Sequence, residues 1–258
     1  MKKIKFSCLV IIGVALMLTC GCKKSADDNN TDDPPVQQPT PTASVGINFN
    51  PTITYGTVID TDNNIYKTIT IACKGTTGTT TWMAENLRAT HYRNGNPITN
   101  VTDSTAWSYL ATGAYCDYLN TPSVSNTYGR LYNWYAVNTG NLAPKGWHVA
   151  TDSNWLALFA FLGGETIAGA KLEETDTAHW LAPNTQATNE IGFTALPSGG
   201  RYALNGSFNQ LGTNCFFWSS TAADATRAWY YYIDANNSQI VRWNYEMRTG
   251  CSVRCVKD

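Results

Sequence analysis

Histidine is scarce in this chain: His91, His148 and His179 are the three among 258 residues, and they are widely scattered. A structural zinc site usually wants four Cys or His ligands, so a histidine-built metal centre has little to draw on. Charge is sparse too, with Asp, Glu, Lys and Arg making up 14% of the chain. The basic footprint that phosphate backbones require is missing, which argues against nucleic acid as a partner. No G-x-S-x-G, H-E-x-x-H or P-loop pattern occurs, and no histidine is placed in sequence to activate Ser219 or Ser220. The apolar run Leu9 to Leu18 is ten residues long, well short of the roughly 20 needed to span a bilayer as a helix.

Aromatic and turn-forming residues fill the gap. Nine Trp and fourteen Tyr offer a large aromatic core. Abundant Gly, Asn, Thr and Ser suit a turn-rich extracellular β-protein better than a helical cytosolic enzyme.

The first residues read as a lipoprotein signal. Lys2, Lys3 and Lys5 precede the apolar run, and "LTCGCKKSADD" follows it, with small Gly21 before Cys22. Cys22 is the preferred lipidation site and Cys20 the second choice, making 1–21 the signal peptide. Loss of the three signal lysines leaves 15 basic against 19 acidic residues, a mildly acidic mature chain. Residues 22–44 carry no large apolar side chain except Val36 and so read as a disordered acidic, Pro-rich tether. The cluster Asp27, Asp28, Asp32 and Asp33 suits either a solvated linker or an address to the outer face of the outer membrane. The expected location is therefore the outer membrane, lipid-anchored at the cell surface, with a periplasm-facing arrangement as the alternative.

From residue 45 to 258 no second low-complexity gap and no fixed-period repeat intervenes, so about 210 residues form one domain with an N-terminal β-extension. "TITYGTVID" and "NIYKTITIA" alternate as strands around the turn "DTDNN". Two helices are predicted in mid-chain. In "YGRLYNWYAVNTG", Leu131, Trp134 and Tyr135 share a helical face. In "TDSNWLALFAFLGG", Thr151 to Ser153 offer capping oxygens, Trp155, Leu158, Phe159 and Leu162 form the stripe, and Gly163 ends it. Trp134 and Trp155 read as core anchors. "CFFWSST", "RAWYYYID", "QIVRWNYE" and "CSVRCVKD" then predict an antiparallel meander. Strands, helices, then strands make an α+β class.

Seven blocks, "TWMAENLR" (81–88), "YGRLYNWYAV" (128–137), "PKGWHVATDSNW" (144–155), "GAKL" (169–172), "GFTALPSGGR" (192–201), "FWSST" (217–221) and "CSVRCVKD" (251–258), appear in the order seen in the Fibrobacter succinogenes major paralogous domain family. Over about residues 60–258 the chain resembles these surface or secreted domains of Bacteroidetes and Fibrobacteres. The resemblance implies a C-type-lectin-like fold, related also to formylglycine-generating enzymes; it does not imply an activity. Ala143 stands where the family usually has a cysteine, and Cys251 where it usually has an aromatic residue. The disulfide that the family pattern implies for Cys255 is therefore missing or rerouted. "ACKGTTGTT" resembles an insertion and brings in Cys73.

With the signal removed and Cys22 lipidated, Cys73, Cys116, Cys215, Cys251 and Cys255 are the disulfide candidates. Four positions along a strand span about 13 Å, beyond the roughly 4.4 to 6.8 Å that a disulfide allows between Cα atoms. If "CSVRCV" is a strand, Cys251 and Cys255 share a face without bonding. Cys215 with Cys251 is the favoured pair, Cys255 with Cys73 or Cys116 comes next, and one thiol is left over. A C-x3-C pair invites comparison with the copper-holding cysteines of formylglycine-generating enzymes, but the spacing and position differ. "RWNYE" resembles the "WND" calcium motif of lectins with Tyr245 in the carboxylate's place, and reads better as strand and turn. Glu173 and Glu174 read as a solvated helix face, since neighbours in a helix do not face each other.

The polar, Gly- and Asn-rich connection 179–212 is the candidate recognition surface, through Trp180, Arg201, Tyr202 and Asn205. The competing reading is that Trp180 and Phe193 pin this loop to the core. The expectation is a non-enzymatic binding or adhesion module, without cofactor, for a glycan, glycoconjugate or surface protein. An oxidase related to formylglycine-generating proteins and a structural envelope component are the alternatives.

Overall fold

The computed structural model describes residues 46–72, 78–237 and 239–258. Strands β1 (Gly56–Ile59) and β2 (Ile65–Ala72) form the expected hairpin, with Ile59 opposite Ile65. Asp60 sets the turn between them. Its Oδ1 accepts from the backbone N–H groups of Asp62 and Asn64, each at 2.9 Å, and Asn63 takes the left-handed conformation that short amide side chains tolerate. Strand β3 (Thr79–Met83) pairs antiparallel with β2.

The middle of the chain is broken into short elements: β4 (Thr99–Asn100), α1 (Ser104–Ser108), β5 (Ala114–Cys116), α2 (Pro122–Tyr128), β6 (Leu131–Tyr132) and α3 (Trp134–Val137). The helix predicted over "YGRLYNWYAV" is thus not one helix. Leu131 and Tyr132 pair with β5, and Asn133 caps a single turn by accepting from the Ala136 N–H at 3.1 Å. Leu131 and Trp134 therefore do not share a helical face, although Trp134 is buried as an anchor.

Strand β7 (Trp147–Val149) leads into α4 (Asp152–Leu162), the predicted capped helix. Thr151 and Asn154 form a reciprocal capping box, and Gly163 closes the helix in the left-handed conformation. Helix α5 (Glu165–Leu172) follows at once. Then come β8 (Ser198–Arg201), β9 (Phe208–Leu211), β10 (Asn214–Ala222), β11 (Arg227–Asp234), β12 (Ile240–Glu246) and β13 (Cys255–Lys257). Gly199 is required where it stands: its φ is +59°, and a Cβ would lie 2.3 Å from the Asn209 carbonyl oxygen of the neighbouring strand.

One sheet has the order β1-β2-β3-β13-β7, a second β12-β11-β10-β8-β9, and a third β4-β5-β6. Mixed helices and largely antiparallel sheets confirm the α+β class. The main core lies where α4 and α5 meet the first two sheets. Trp155, Leu158, Phe159 and Leu162 of α4 pack against Ile69, Trp82 and Val256 on one side and Phe217, Tyr231 and Ile233 on the other. Burying each such side chain contributes roughly 1.5–3 kcal/mol.

The closing segment departs from the predicted meander. β10, β11 and β12 are sequential antiparallel neighbours, but "CSVRCVKD" does not continue them as a fourth strand. Cys251 bridges Tyr132, Ser252 bridges Phe217, and only Cys255–Lys257 is a strand, placed between β3 and β7. Cys251 and Cys255 are thus on separate elements, which overturns the shared strand face.

Candidate functional site

The second sheet has two unlike faces. Toward α4 it turns Cys215 and Phe217 of β10 and Tyr231 and Ile233 of β11, all buried in the core. Alternation then sends Asn214, Phe216 and Trp218 to the other side, opposite Asp234, Tyr232 and Tyr230 in register. On β12, Trp243 lies opposite Tyr230 and is 58% exposed. The outer face is therefore aromatic across three strands, with a polar end at Asn214 and Asp234.

A cavity of about 340 Å³ opens on this face, within the range of roughly 300–1,000 Å³ usual for small-molecule sites. Its aromatic wall is Tyr202, Phe216, Tyr230, Tyr232 and Tyr245. The Tyr230 and Tyr232 rings stack at 6.2 Å between centroids, and Phe216 sits 5.9 and 5.8 Å from them. Burial pushes the Tyr230 phenol well above its ordinary value, so it is a neutral hydroxyl at pH 7. The polar wall is Asn209, Gln210, Asn214, Asp234 and Thr249. The Asn236 N–H and Nδ2 donate to Asp234 Oδ1 at 2.8 and 2.9 Å, which holds the carboxylate at the rim. Thr249 Oγ1 is buried without a hydrogen-bond partner among the described residues. Asp234 is the single carboxylate among the described lining residues.

Of the four residues expected to recognise a ligand, two are corrected outright. Trp180 is 1% exposed, its Nε1 donating to the Ala195 carbonyl at 3.0 Å; it pins the loop to the core. Arg201 is also 1% exposed. Its Nε donates to Gly206 O at 2.9 Å and its Nη atoms to Val101 O at 2.6 Å and Thr102 O at 2.9 Å, while the guanidinium lies over Trp107. Arg201 borders the cavity, but all three of its guanidinium nitrogens donate to backbone carbonyls. Asn205 is exposed and serves a turn, its Oδ1 accepting from the Ser207 N–H and hydroxyl. Tyr202, 40% exposed, does reach the cavity. The remaining lining residues were missed: the period-2 alternation of "NCFFWSS" and "WYYYID" sorts them onto one face but does not say which face is open.

The disulfide expectations are corrected as well. Cys116, Cys215, Cys251 and Cys255 are free, buried thiols. Cys215 packs in the helix-side core, Cys251 and Cys255 in a second cluster with Trp218 and Val253, and Cys116 in a third with Trp107. The favoured Cys215–Cys251 pair is thus split between opposite faces of the sheet. Burial pushes the Cys116 thiol up to about 12 and raises the other three as well, so these sulfurs behave as small apolar groups. Cys22 and Cys73 lie outside the described residues. Non-reducing peptide mapping should find all four buried cysteines unalkylated in the native protein and alkylated after denaturation without reductant. A disulfide-linked peptide containing any of them would contradict the fold.

Glu173 and Glu174 are not a solvated face; they are 3% and 0% exposed. α5 ends at Leu172, and Glu173 is extended and bridges Ala195, so the two carboxyls turn inward in different directions. Glu174 accepts from the Asn48 N–H at 2.6 Å and faces His179 Nδ1 at 2.6 Å.

An α+β domain whose helix-backed sheet presents an aromatic, amide-lined cavity is built as a scaffold carrying a small surface pocket. Residues 76–257 match the model of the Fibrobacter succinogenes major domain, and the chain belongs to that family. No curated protein and no solved structure matches it.

Proposed function

We propose that this protein is a non-enzymatic binding module whose outer-face cavity takes a glycan. The supporting observation is the pairing of stacked Tyr230 and Tyr232 with the amides and carboxylate of Asn209, Asn214 and Asp234 in one 340 Å³ cavity. Aromatic faces cover the apolar C–H faces of a sugar, and fixed amide and carboxylate groups pair with its hydroxyls. A lone carboxylate fits binding better than glycoside cleavage, which uses two. The oxidase reading draws no support from Cys251 and Cys255: burial holds both thiols protonated, and only Cys251 borders the cavity, so the two do not form a pair there.

The module is a C-type-lectin-like domain in this reading. Support comes from the closing strand β13 seated beside the early strand β3, with α4 and α5 between the two sheets' contributions. It is held to the outer membrane by lipid on Cys22 through the 22–44 tether, facing the cell surface. The peptide map described above is expected to carry that lipid on Cys22.

Glycan-array screening followed by calorimetry on the best ligand tests the cavity. Tyr232→Ala and Asp234→Asn should each weaken binding about 10-fold or more, about 1.4 kcal/mol, while Tyr109→Ala, at a remote exposed ring, leaves it unchanged. Absence of any saturable glycan, or equal affinity in the cavity variants, overturns the reading.

A further inference from the structure

Glu173 takes no part in the glycan cavity, yet it is an ionisable group that is 3% exposed. No described residue donates to its Oε1. Asn184, 5% exposed, is in the same position: its Oδ1 is buried and has no donor among the described residues. The amide orientation is chemically determined, because Nδ2 donates to the carbonyls of Glu174 at 2.9 Å and Asp176 at 2.7 Å. Only an NH2 satisfies two carbonyl oxygens, so the opposite side of the amide is an oxygen.

Glu173 and Asn184 line one small cavity of about 30 Å³, together with Thr185, Gln186 and the turn residues Asn236 and Asn237. That is room for one or two water-sized species, since about 10–15 Å³ suffices for one. No Lys, Arg or His is among the described lining residues. Burial, and after it the nearby Asp234 charge, push the Glu173 carboxyl up to about 8, the direction expected of a carboxyl with no cation beside it. A buried acceptor left without a donor costs roughly 1–3 kcal/mol, and buried charges are normally paired or bound to metal.

We propose that the Glu173–Asn184 cavity binds a single hard, oxygen-ligated cation, calcium being the best fit, with the Glu173 carboxylate and Asn184 Oδ1 among its ligands. Calcium accepts mixed carboxylate, amide and water oxygens in flexible geometry, whereas magnesium demands a near-ideal octahedron. No group of three or more His, Cys, Asp or Glu side chains forms a metal site among the described residues. One carboxylate with an amide oxygen makes a weak site, in the roughly 0.1–1 mM range of extracellular modules. The cation would join the Pro183–Gln186 loop to the turn that follows Asp234, and so steady the polar rim of the glycan cavity from behind.

The test is calorimetry and thermal unfolding of the full mature protein, stripped with EDTA and titrated with calcium, magnesium or sodium chloride. The expected result is one saturable calcium per chain and a melting temperature that rises with calcium. Both should vanish in Glu173→Gln, whose metal-free melting temperature stays at or above that of the metal-free wild type. Calcium binding retained in Glu173→Gln overturns the proposal. So does a wild type that takes up no calcium up to 10 mM while Glu173→Gln is simply more stable, because the carboxyl is then merely protonated. Glycan affinity is read separately, so a failure here leaves the cavity assignment standing or falling on its own variants.

Discussion

Arg254→Lys should cost about 3 kcal/mol or more of folding stability, and Arg254→Ala should fail to fold. Arg254 is fully buried, and no carboxylate among the described residues pairs with it. Its Nε donates to Asn86 Oδ1 at 2.6 Å, Nη1 to Met83 O at 3.0 Å and Phe193 O at 2.8 Å, and Nη2 to Thr194 O at 2.9 Å. The guanidinium lies 4.3 Å from the Phe193 ring centroid. Burial lowers its pKa to about 9, which still leaves it protonated at neutral pH. One planar fork thus satisfies four acceptors on two chain segments. A lysine ammonium is a point donor without that shape, and alanine strands every acceptor. Hydrogen bonds to a charged group are worth roughly 1.5–3 kcal/mol each, set against a typical total stability of about 5–15 kcal/mol. Urea unfolding of Arg254→Lys is the measurement, and a loss under about 1 kcal/mol would contradict this role.

Trp155→Ala is expected to lose roughly 3–5 kcal/mol, the range for emptying a large aromatic site in a core. Trp155 is 1% exposed and has the Trp82, Phe217, Tyr231, Phe159 and Phe193 ring centroids at 4.9, 5.3, 5.5, 5.8 and 5.9 Å. It joins α4 to both large sheets, so the void cannot close by moving one element. Trp155→Phe should be much milder, about 1–2 kcal/mol, because the indole Nε1 makes no hydrogen bond among the described residues. Denaturant unfolding of both variants, with near-ultraviolet circular dichroism for the ring cluster, separates lost volume from lost polarity.

Local signals in the chain were reliable where the structure depends on local chemistry. The Thr151 cap, the Trp155-to-Leu162 stripe and the Gly163 stop define α4 within a dozen residues, and Asp60 to Asn64 define a hairpin turn by themselves. The helix over 128–137 failed because Leu131 and Tyr132 are drawn into a sheet by Tyr115 and Cys116, a tertiary pull that helical spacing does not record. Arg201 looked exposed because arginine usually is. Its burial depends on the carbonyls of Val101 and Thr102, a hundred residues earlier. The cavity escaped notice for a different reason. β10 reads Asn-Cys-Phe-Phe-Trp, apolar on both faces, so alternation alone cannot tell which side meets α4 and which meets solvent.

The placement of β13 bears on how this chain reaches its native state. The strand lies inside the first sheet, between β3 and β7, and Arg254, just before it, bonds Met83 across 171 positions of sequence. Until that last segment arrives, β3 and β7 each expose an unpaired edge. Closing so long a loop is entropically expensive before its contacts form, and topologies of this kind fold slowly. The half-assembled chain therefore has a lifetime during which its open edges invite pairing with other chains. Yield on refolding should accordingly be governed by concentration rather than by final stability.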